Sequence, residues 1–251
     1  MPAEVKILVE GYTTADAKAE NRGEEKTCAT ISLIRDKDLA IVVDPGVLES
    51  QQILIDALKK ERLALEDVDV VCITHSHIDH YRNIGMFKDA KALDYFGLWN
   101  KNACEEWREY FTPNIQILKT PGHDYTSITL FVSTDEGVVA VCGDVFWKEN
   151  YPKYDVYALD PEKLENSRHL VLRMADWIVP GHAGMYENVR APFKEDKEQP
   201  VKKSTDTQPF CRKCHRPMQK NERCLCQPSI CIRCCECNLD CDLCGCSHKR
   251  K

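Results

Sequence analysis

The sequence predicts an α/β protein, two β-sheets with helices outside them, followed by a small cysteine-rich metal module. Three observations carry this. β-type runs with polar breaks fill the first half, with helical patterns between them. Histidine and aspartate recur where such runs end. And 11 of the 15 cysteines crowd between residues 211 and 246.

The elements follow in order. VKILV at 5–9 reads as a strand, and CATISLI and LAIVVD, split by the polar RDKD, read as a hairpin-like pair. Asp44-Pro45-Gly46 is a turn. SQQILIDALKKERL places apolar residues at helical spacing, at Ile53, Leu54, Ala57, Leu58 and Leu63. VDVVCI is a β-branched run suited to a buried strand, and a helix is expected from His80 to Phe87. IQILKT, SITLFVS and VVAVCG are further strands. PEKLENSRHLVLRMA reads as a helix with Pro161 in its first turn, and DWIVPGH as a last short strand. No internal repeat is visible. The stretch from Glu187 to Pro209 is charged, carries three prolines and has almost no apolar periodicity, as a linker does. The expected organisation is therefore a catalytic-size domain at 1–190, a linker at 191–209 and a cysteine-rich module at 210–248.

At 43% hydrophobic the chain can bury a core, and its 29% charged fraction is that of a soluble protein. The start, MPAEVKILVEGY, has no long apolar segment of a signal peptide. No apolar run approaches the ~18 residues of a membrane span. The expectation is a soluble intracellular protein, cytoplasmic or, in a eukaryote, nuclear, with no membrane partner. The net charge of -6 is uneven: from Lys202 onward 11 Lys and Arg face 5 Asp and Glu, a net of +6, which leaves -12 for residues 1–201. Blocks of opposite sign mark different partners.

Residues 74–85, THSHIDHYRNIG, hold four ligand-type side chains within six positions: His75, His77, Asp79 and His80. Histidine is the commonest metal ligand, and carboxylates are hard anionic donors. On a continuous strand His80 would point away from the other three, but at a strand end the backbone turns and all four can converge. One metal needs at least three protein ligands, and the partners lie downstream. TPGHD offers His123, VVAVCGD offers Asp144 and DWIVPGH offers His182, each beside a glycine after a β-rich run. Seven potential ligands thus sit at four strand ends. His169 and His248 lie outside this pattern and read as ordinary surface or core histidines.

His-x-His-x-Asp-His, then Pro-Gly-His, Gly-Asp and Pro-Gly-His, resembles the metallo-β-lactamase superfamily, and VVDPG at Asp44 resembles that family's early strand-and-turn motif. The resemblance covers about residues 5–190. It implies an αββα sandwich with the metal site at one edge, between the sheets. Carried over by motif, His75, His77 and His123 would hold a first metal, Asp79, His80 and His182 a second, and Asp144 would bridge them. Zinc, iron or manganese would fill the two sites. Such a pair lowers the pKa of a shared water, which attacks an ester, thioester or phosphodiester centre. Asp79 would also steer the proton of that water, which makes it the candidate catalytic residue. A more local resemblance, through CGDVFWKEN and LDPEKLENSRHLVLRMADWIVPGHAGMY, is to the metallo-β-lactamase domain-containing protein 1 group. It implies an endoribonuclease acting on RNA phosphodiesters. Only 37 residues separate Asp144 from His182, which leaves no room for the long insertion of cleavage-factor-type nucleases.

The acidic body opposes long-range attraction of a polyanion. The rival expectation is a small-molecule ester, lactone or thioester hydrolase. The non-enzymatic rival is a metal-binding interaction scaffold, against which stands a ligand set of catalytic rather than structural type.

The tail, CRKCHRPMQKNERCLCQPSICIRCCECNLDCDLCGCSHKRK, is too short of core-forming residues to fold by apolar burial. Metal thiolates would supply the missing stabilisation. Cys211/Cys214, Cys231/Cys234 and Cys241/Cys244 have Cys-x-x-Cys spacing, and Cys224/Cys226 adds a closer pair. Two zincs are expected on these eight, in sequential or cross-braced pairing. Cys235, Cys237, Cys246 and His215 remain over, and with one histidine the 11 cysteines would instead fill three four-coordinate sites. The basic residues around the first pairs suit nucleic acid or protein as partner, although Phe210 is the tail's only aromatic for base stacking. A structural or oligomerisation clip is the plainer reading, and a homo-oligomer is compatible with it.

Overall fold

The computed structural model describes residues 2–15, 25–149 and 154–189. The chain divides into two units, Met1–Ala191 and Pro192–Lys251. The expected linker from 191 and the cysteine module, with Cys211, Cys214, Cys224, Cys226, Cys231, Cys234, Cys241 and Cys244, lie outside the described residues.

The first unit contains two large sheets. One has seven strands in the order β1 (Glu4–Val9), β4 (Ile31–Asp36), β5 (Leu39–Val43), β6 (Val70–Cys72), β7 (Lys91–Leu93), β8 (Leu98–Asn100) and β9 (Ala103–Glu105). The other has six, β10 (Tyr110–Thr112), β11 (Ile115–Lys119), β12 (Ile128–Thr134), β13 (Gly137–Val141), β14 (Trp177–Val179) and β15 (Tyr186–Glu187). A small ribbon pairs β2 (Tyr12–Thr13) with β3 (Thr27–Cys28).

Side-chain alternation sorts the strands into layers. In β4 and β5, Ile34, Ile41 and Val43 join Ile115, Ile117, Ile128, Leu130, Val139 and Val179 in one core between the sheets. Their neighbours Ile31, Leu33, Ala40 and Val42 face the other way, onto Leu54 and Leu58 of helix α1 (Gln51–Lys60). In the second sheet Phe131, Ala140 and Ile178 turn outward onto Leu164 and Val171 of helix α3 (Pro161–Met174). Helix, sheet, sheet, helix is the αββα sandwich. Both faces of each central strand are covered, which is why VVC and IVV carry no polar alternation.

The helices begin at strong caps. Ser50 accepts from Gln52 N ahead of α1, and Asp160 accepts from Lys163 N ahead of α3, with Pro161 in the first turn. Strand direction then positions the site. β5, β6 and β7 run parallel in the first sheet. In the second, β14 is parallel to β13, and β11 and β13 flank β12 as antiparallel neighbours, so β11, β13 and β14 all leave by the same edge. The loops after β6, β11, β13 and β14 carry the seven candidate ligands.

Three expectations change. The helix predicted from His80 to Phe87 is instead a single turn, α2 (Ile78–Tyr81), followed by a 3-10 turn at Ile84–Met86. It starts earlier because His77 is its N-terminal cap position, so ligand placement and helix start coincide. CATISLI does not form one strand: Thr27–Cys28 pairs with β2, and β4 begins only at Ile31. Ile53, read as core-facing, is 43% exposed, while Leu54 and Leu58 are fully buried. Residues 91–112 show no strand pattern in the sequence, yet hold β7 to β10, each three residues long and, Leu93 apart, exposed or half-buried.

No helix among the described residues is long and apolar enough to cross a membrane. Leu54 of α1 packs against the first sheet at 0% exposure. Leu54→Ala should lower unfolding free energy by about 2–5 kcal/mol in chemical denaturation. Ile53→Ala should change it by less than about 1 kcal/mol, because that side chain has little burial to lose.

Candidate metal centre

The seven predicted residues meet at the edge between the sheets. Ligand atoms of His75, His77, His123 and Asp144 all lie within 4.8 Å of one another, as do those of Asp79, His80 and His182. Asp144 joins the two groups. Its Oδ2 is 3.3 Å from His123 Nε2 and 3.2 Å from His182 Nε2, and its Oδ1 is 3.4 Å from His80 Nε2. His77 turns Nδ1 inward, 3.0 Å from Nε2 of both His75 and His123. Asp79 Oδ2 lies 3.6 Å from His182 Nε2 and 3.9 Å from His80 Nε2, and its side chain is 14% exposed.

The far side of each ring shows which nitrogen carries the proton. His80 Nδ1 donates to Asp44 Oδ2 at 2.8 Å, His123 Nδ1 to Asp155 Oδ2 at 2.7 Å, and His182 Nδ1 to the Cys28 carbonyl at 3.0 Å. Thr74 spends its hydroxyl proton on Asp44 Oδ2, so it can only accept from His75 Nδ1, 3.1 Å away. All four of these rings therefore point an Nε2 lone pair at the buried Asp144. Lone pairs and a carboxylate facing one another repel unless something positive lies between them. His80 Nε2 and Asp144 Oδ1 are both buried and make no hydrogen bond. This donor set, nitrogen and oxygen with outward proton anchors, fits divalent metal ions.

Burial opposes a charged His80, but Asp144 and Asp44 outweigh it and raise its pKa well above the ordinary imidazole value. Burial also opposes the charge on His182, which Asp144 nevertheless raises. Burial, reinforced by His80, holds His75 well below its ordinary value, and burial with His123 lowers His77. Burial disfavours the Asp144 carboxylate too, yet His182, His80 and His123 hold it well below the carboxylate range.

Glycines precede the ligands because there is no room for a side chain. A Cβ on Gly181 would stand 1.7 Å from Asp144 Oδ1, and one on Gly122, at φ +140°, would stand 2.1 Å from Leu164 N. Asp155 and Thr27 are functional neighbours that the sequence does not mark. Thr27 Oγ1 donates to Asp79 Oδ2 at 2.9 Å. Neither residue belongs to a periodic pattern, so no local signal could have found them. Asp44, read only as a turn and a family motif, adopts φ +51° and binds both Thr74 and His80.

Mn(II) favours carboxylate donors over thiolates, so it reports on this centre rather than on the cysteines beyond residue 210. Titration of the full-length chain followed by electron paramagnetic resonance should find two Mn(II) per chain. Asp79→Ala should reduce this to one, and retention of two would contradict its place in the second group. Asp155→Ala should weaken the ion held by His123 about 10–100-fold, the usual effect of losing a ligand's outer anchor.

The metallo-beta-lactamase superfamily profile matches residues 29–98. Metallo-beta-lactamase domain-containing protein 1 of Xenopus laevis is 31% identical over 199 residues, covering 75% of this chain and 83% of that protein. Its mouse counterpart is 33% identical over 168 residues, covering 63% of this chain and 65% of that protein. In fold, the B. thuringiensis AiiA structure with N-decanoyl-L-homoserine at its active site superposes with a TM-score of 0.55 at 19% identity, over 72% of this chain and 92% of that one. With the ligand geometry, these similarities establish that the chain belongs to the metallo-beta-lactamase superfamily and is a metal-dependent hydrolase of that fold.

Proposed function

We propose that the chain hydrolyses small uncharged carboxylic esters, lactones or thioesters. The observation that carries this is the pocket over the metal centre. Its volume is about 280 Å³, and it is lined by five of the seven ligand side chains together with Thr13, Glu25, Thr27, Ile78, Trp147 and Tyr157. None of its described lining residues is Lys or Arg, and a carboxylate, Glu25, stands among them. A phosphodiester chain would have to enter past that carboxylate, over a body whose charge is -12 through residue 201. An acyl group instead meets Ile78 and the Trp147–Tyr157 pair, stacked at 5.7 Å between centroids.

Two bound zinc, iron or manganese ions would lower the pKa of a water and polarise the oxygen under attack. The protein's own groups do the rest. His75, His77, His123 and Asp144 would hold one ion, and Asp79, His80 and His182 the other. Asp79, oriented by Thr27, accepts the proton of the attacking water and passes it to the leaving oxygen or sulfur. Trp147 closes one wall and limits competing water around the acyl group.

A second reading, RNA phosphodiester cleavage, is favoured by the resemblance to the domain-containing protein 1 group and by the +6 block from Lys202 onward. In it the tail, with structural zinc on its cysteine pairs, draws RNA to the body. A parallel assay of metal-loaded full-length protein on a lactone, a thioester and a single-stranded RNA oligonucleotide separates the two. Turnover of the lactone or thioester with no RNA cleavage is the expected result. RNA cleavage that weakens with salt, and loses that salt dependence on deletion of residues 202–251, would replace the first reading with the second.

A further inference from the structure

Ser167 and Arg168 are consecutive on α3 and both are buried, at 5% and 8% exposure. The other buried residues of this helix, Leu164 and Val171, are apolar and pack against the second sheet. An arginine buried for packing alone is unfavourable, since a leucine would fill the space without desolvating a charge. What the two polar side chains reach explains their place. Ser167 Oγ donates to the Pro121 carbonyl at 2.7 Å, and Arg168 Nε donates to the Val145 carbonyl at 3.1 Å.

Those carbonyls belong to two different ligand loops. Pro121 stands two residues before His123, and Val145 directly follows Asp144. The start of α3 grips the first loop again: Asp160 N donates to Gly122 O at 2.9 Å, and Leu159 N to His123 O at 3.2 Å. Gly122 permits this approach, because any Cβ there would strike Leu164. The Arg168 guanidinium also lies over the Phe146 ring, 5.7 Å from its centroid, just beyond the Asp144 turn. One helix face thus holds both the His123 loop and the Asp144 loop, whose side chains come within 3.3 Å of each other at the centre.

We propose that Ser167 and Arg168 form a clamp that sets the spacing between His123 and Asp144. Both are positioning residues, acting through the Pro121 and Val145 carbonyls rather than on substrate. The proposal rests on the metal-centre reading. It explains why a polar Ser-Arg pair sits on the otherwise apolar buried face of this helix.

The test is Mn(II) titration of the full-length chain by electron paramagnetic resonance, with thermal unfolding alongside. Ser167→Ala and Arg168→Met should each weaken Mn(II) binding about tenfold or more and alter the spectrum. Ser167→Thr keeps the hydroxyl and should restore affinity to near the wild-type value. If Arg168→Met does not fold, Arg168→Lys, which keeps a cation but not the Nε geometry, carries the same expectation. Val171→Ala serves as the control: it removes apolar packing of α3 but neither hydrogen bond to the Pro121 and Val145 carbonyls, so it should lower Tm and leave Mn(II) affinity unchanged. Wild-type affinity and spectrum in the Ser167 and Arg168 variants would overturn the clamp. So would an equal loss of affinity in Val171→Ala. A wild-type chain that takes up no Mn(II) would overturn the centre itself, a separate and distinguishable result.

Discussion

Four imidazole nitrogens aimed at one buried carboxylate are the constraint on which this structure depends. The rings of His75, His80, His123 and His182 each have the far nitrogen committed to an acceptor, so their near nitrogens converge as lone pairs around Asp144. Such an arrangement is repulsive by itself and becomes favourable around divalent cations. Much of the surrounding architecture serves to hold it. Asp44 takes a left-handed backbone to reach Thr74 and His80 together, and Gly181 gives up its side chain so that Asp144 can sit against the backbone. Backbone of this kind is unfavourable by of order 1–3 kcal/mol and persists where packing over-determines it.

The sandwich supplies that packing. The strands that end at the site are buried on both faces, by the inner core on one side and by a helix on the other. Their ends are therefore rigid, while the loops that follow are free to vary in composition. This division separates what identifies the fold from what selects a substrate. Ligand loops are fixed by the centre. The wall of Ile78, Trp147, Tyr157 and Glu25 is not, and it is there that the pocket takes its apolar and mildly acidic character.

The ligand set was legible in the sequence because four members cluster directly after one β-type run and the other three each follow such a run and a glycine, a pattern that survives without alignment. Its grouping into two sites came from family resemblance, and the geometry places the same residues together. The layers were legible for the same reason, as VVC and IVV announce strands covered on both faces. Other features left no periodic trace. Asp155 lies in a loop, Cys28 contributes only its carbonyl, and β7 to β10, at three residues each, are too short to be told from loop. Ile53 fits the helical stripe as well as Leu54 does, and only the direction in which α1 meets the first sheet tells them apart. Nothing local in the sequence marks Ser167 and Arg168 as buried, because their partners are backbone carbonyls far away in sequence.

The central claim is that Asp144 stands between two ions held by separate histidine groups. Anomalous X-ray scattering from crystals of the zinc-loaded protein measures this directly. The account predicts two zinc peaks in the first unit, one against His75, His77 and His123 and one against His80, His182 and Asp79, each also contacting the Asp144 carboxylate. A single peak within that unit, or zinc confined to residues beyond 191, would contradict it.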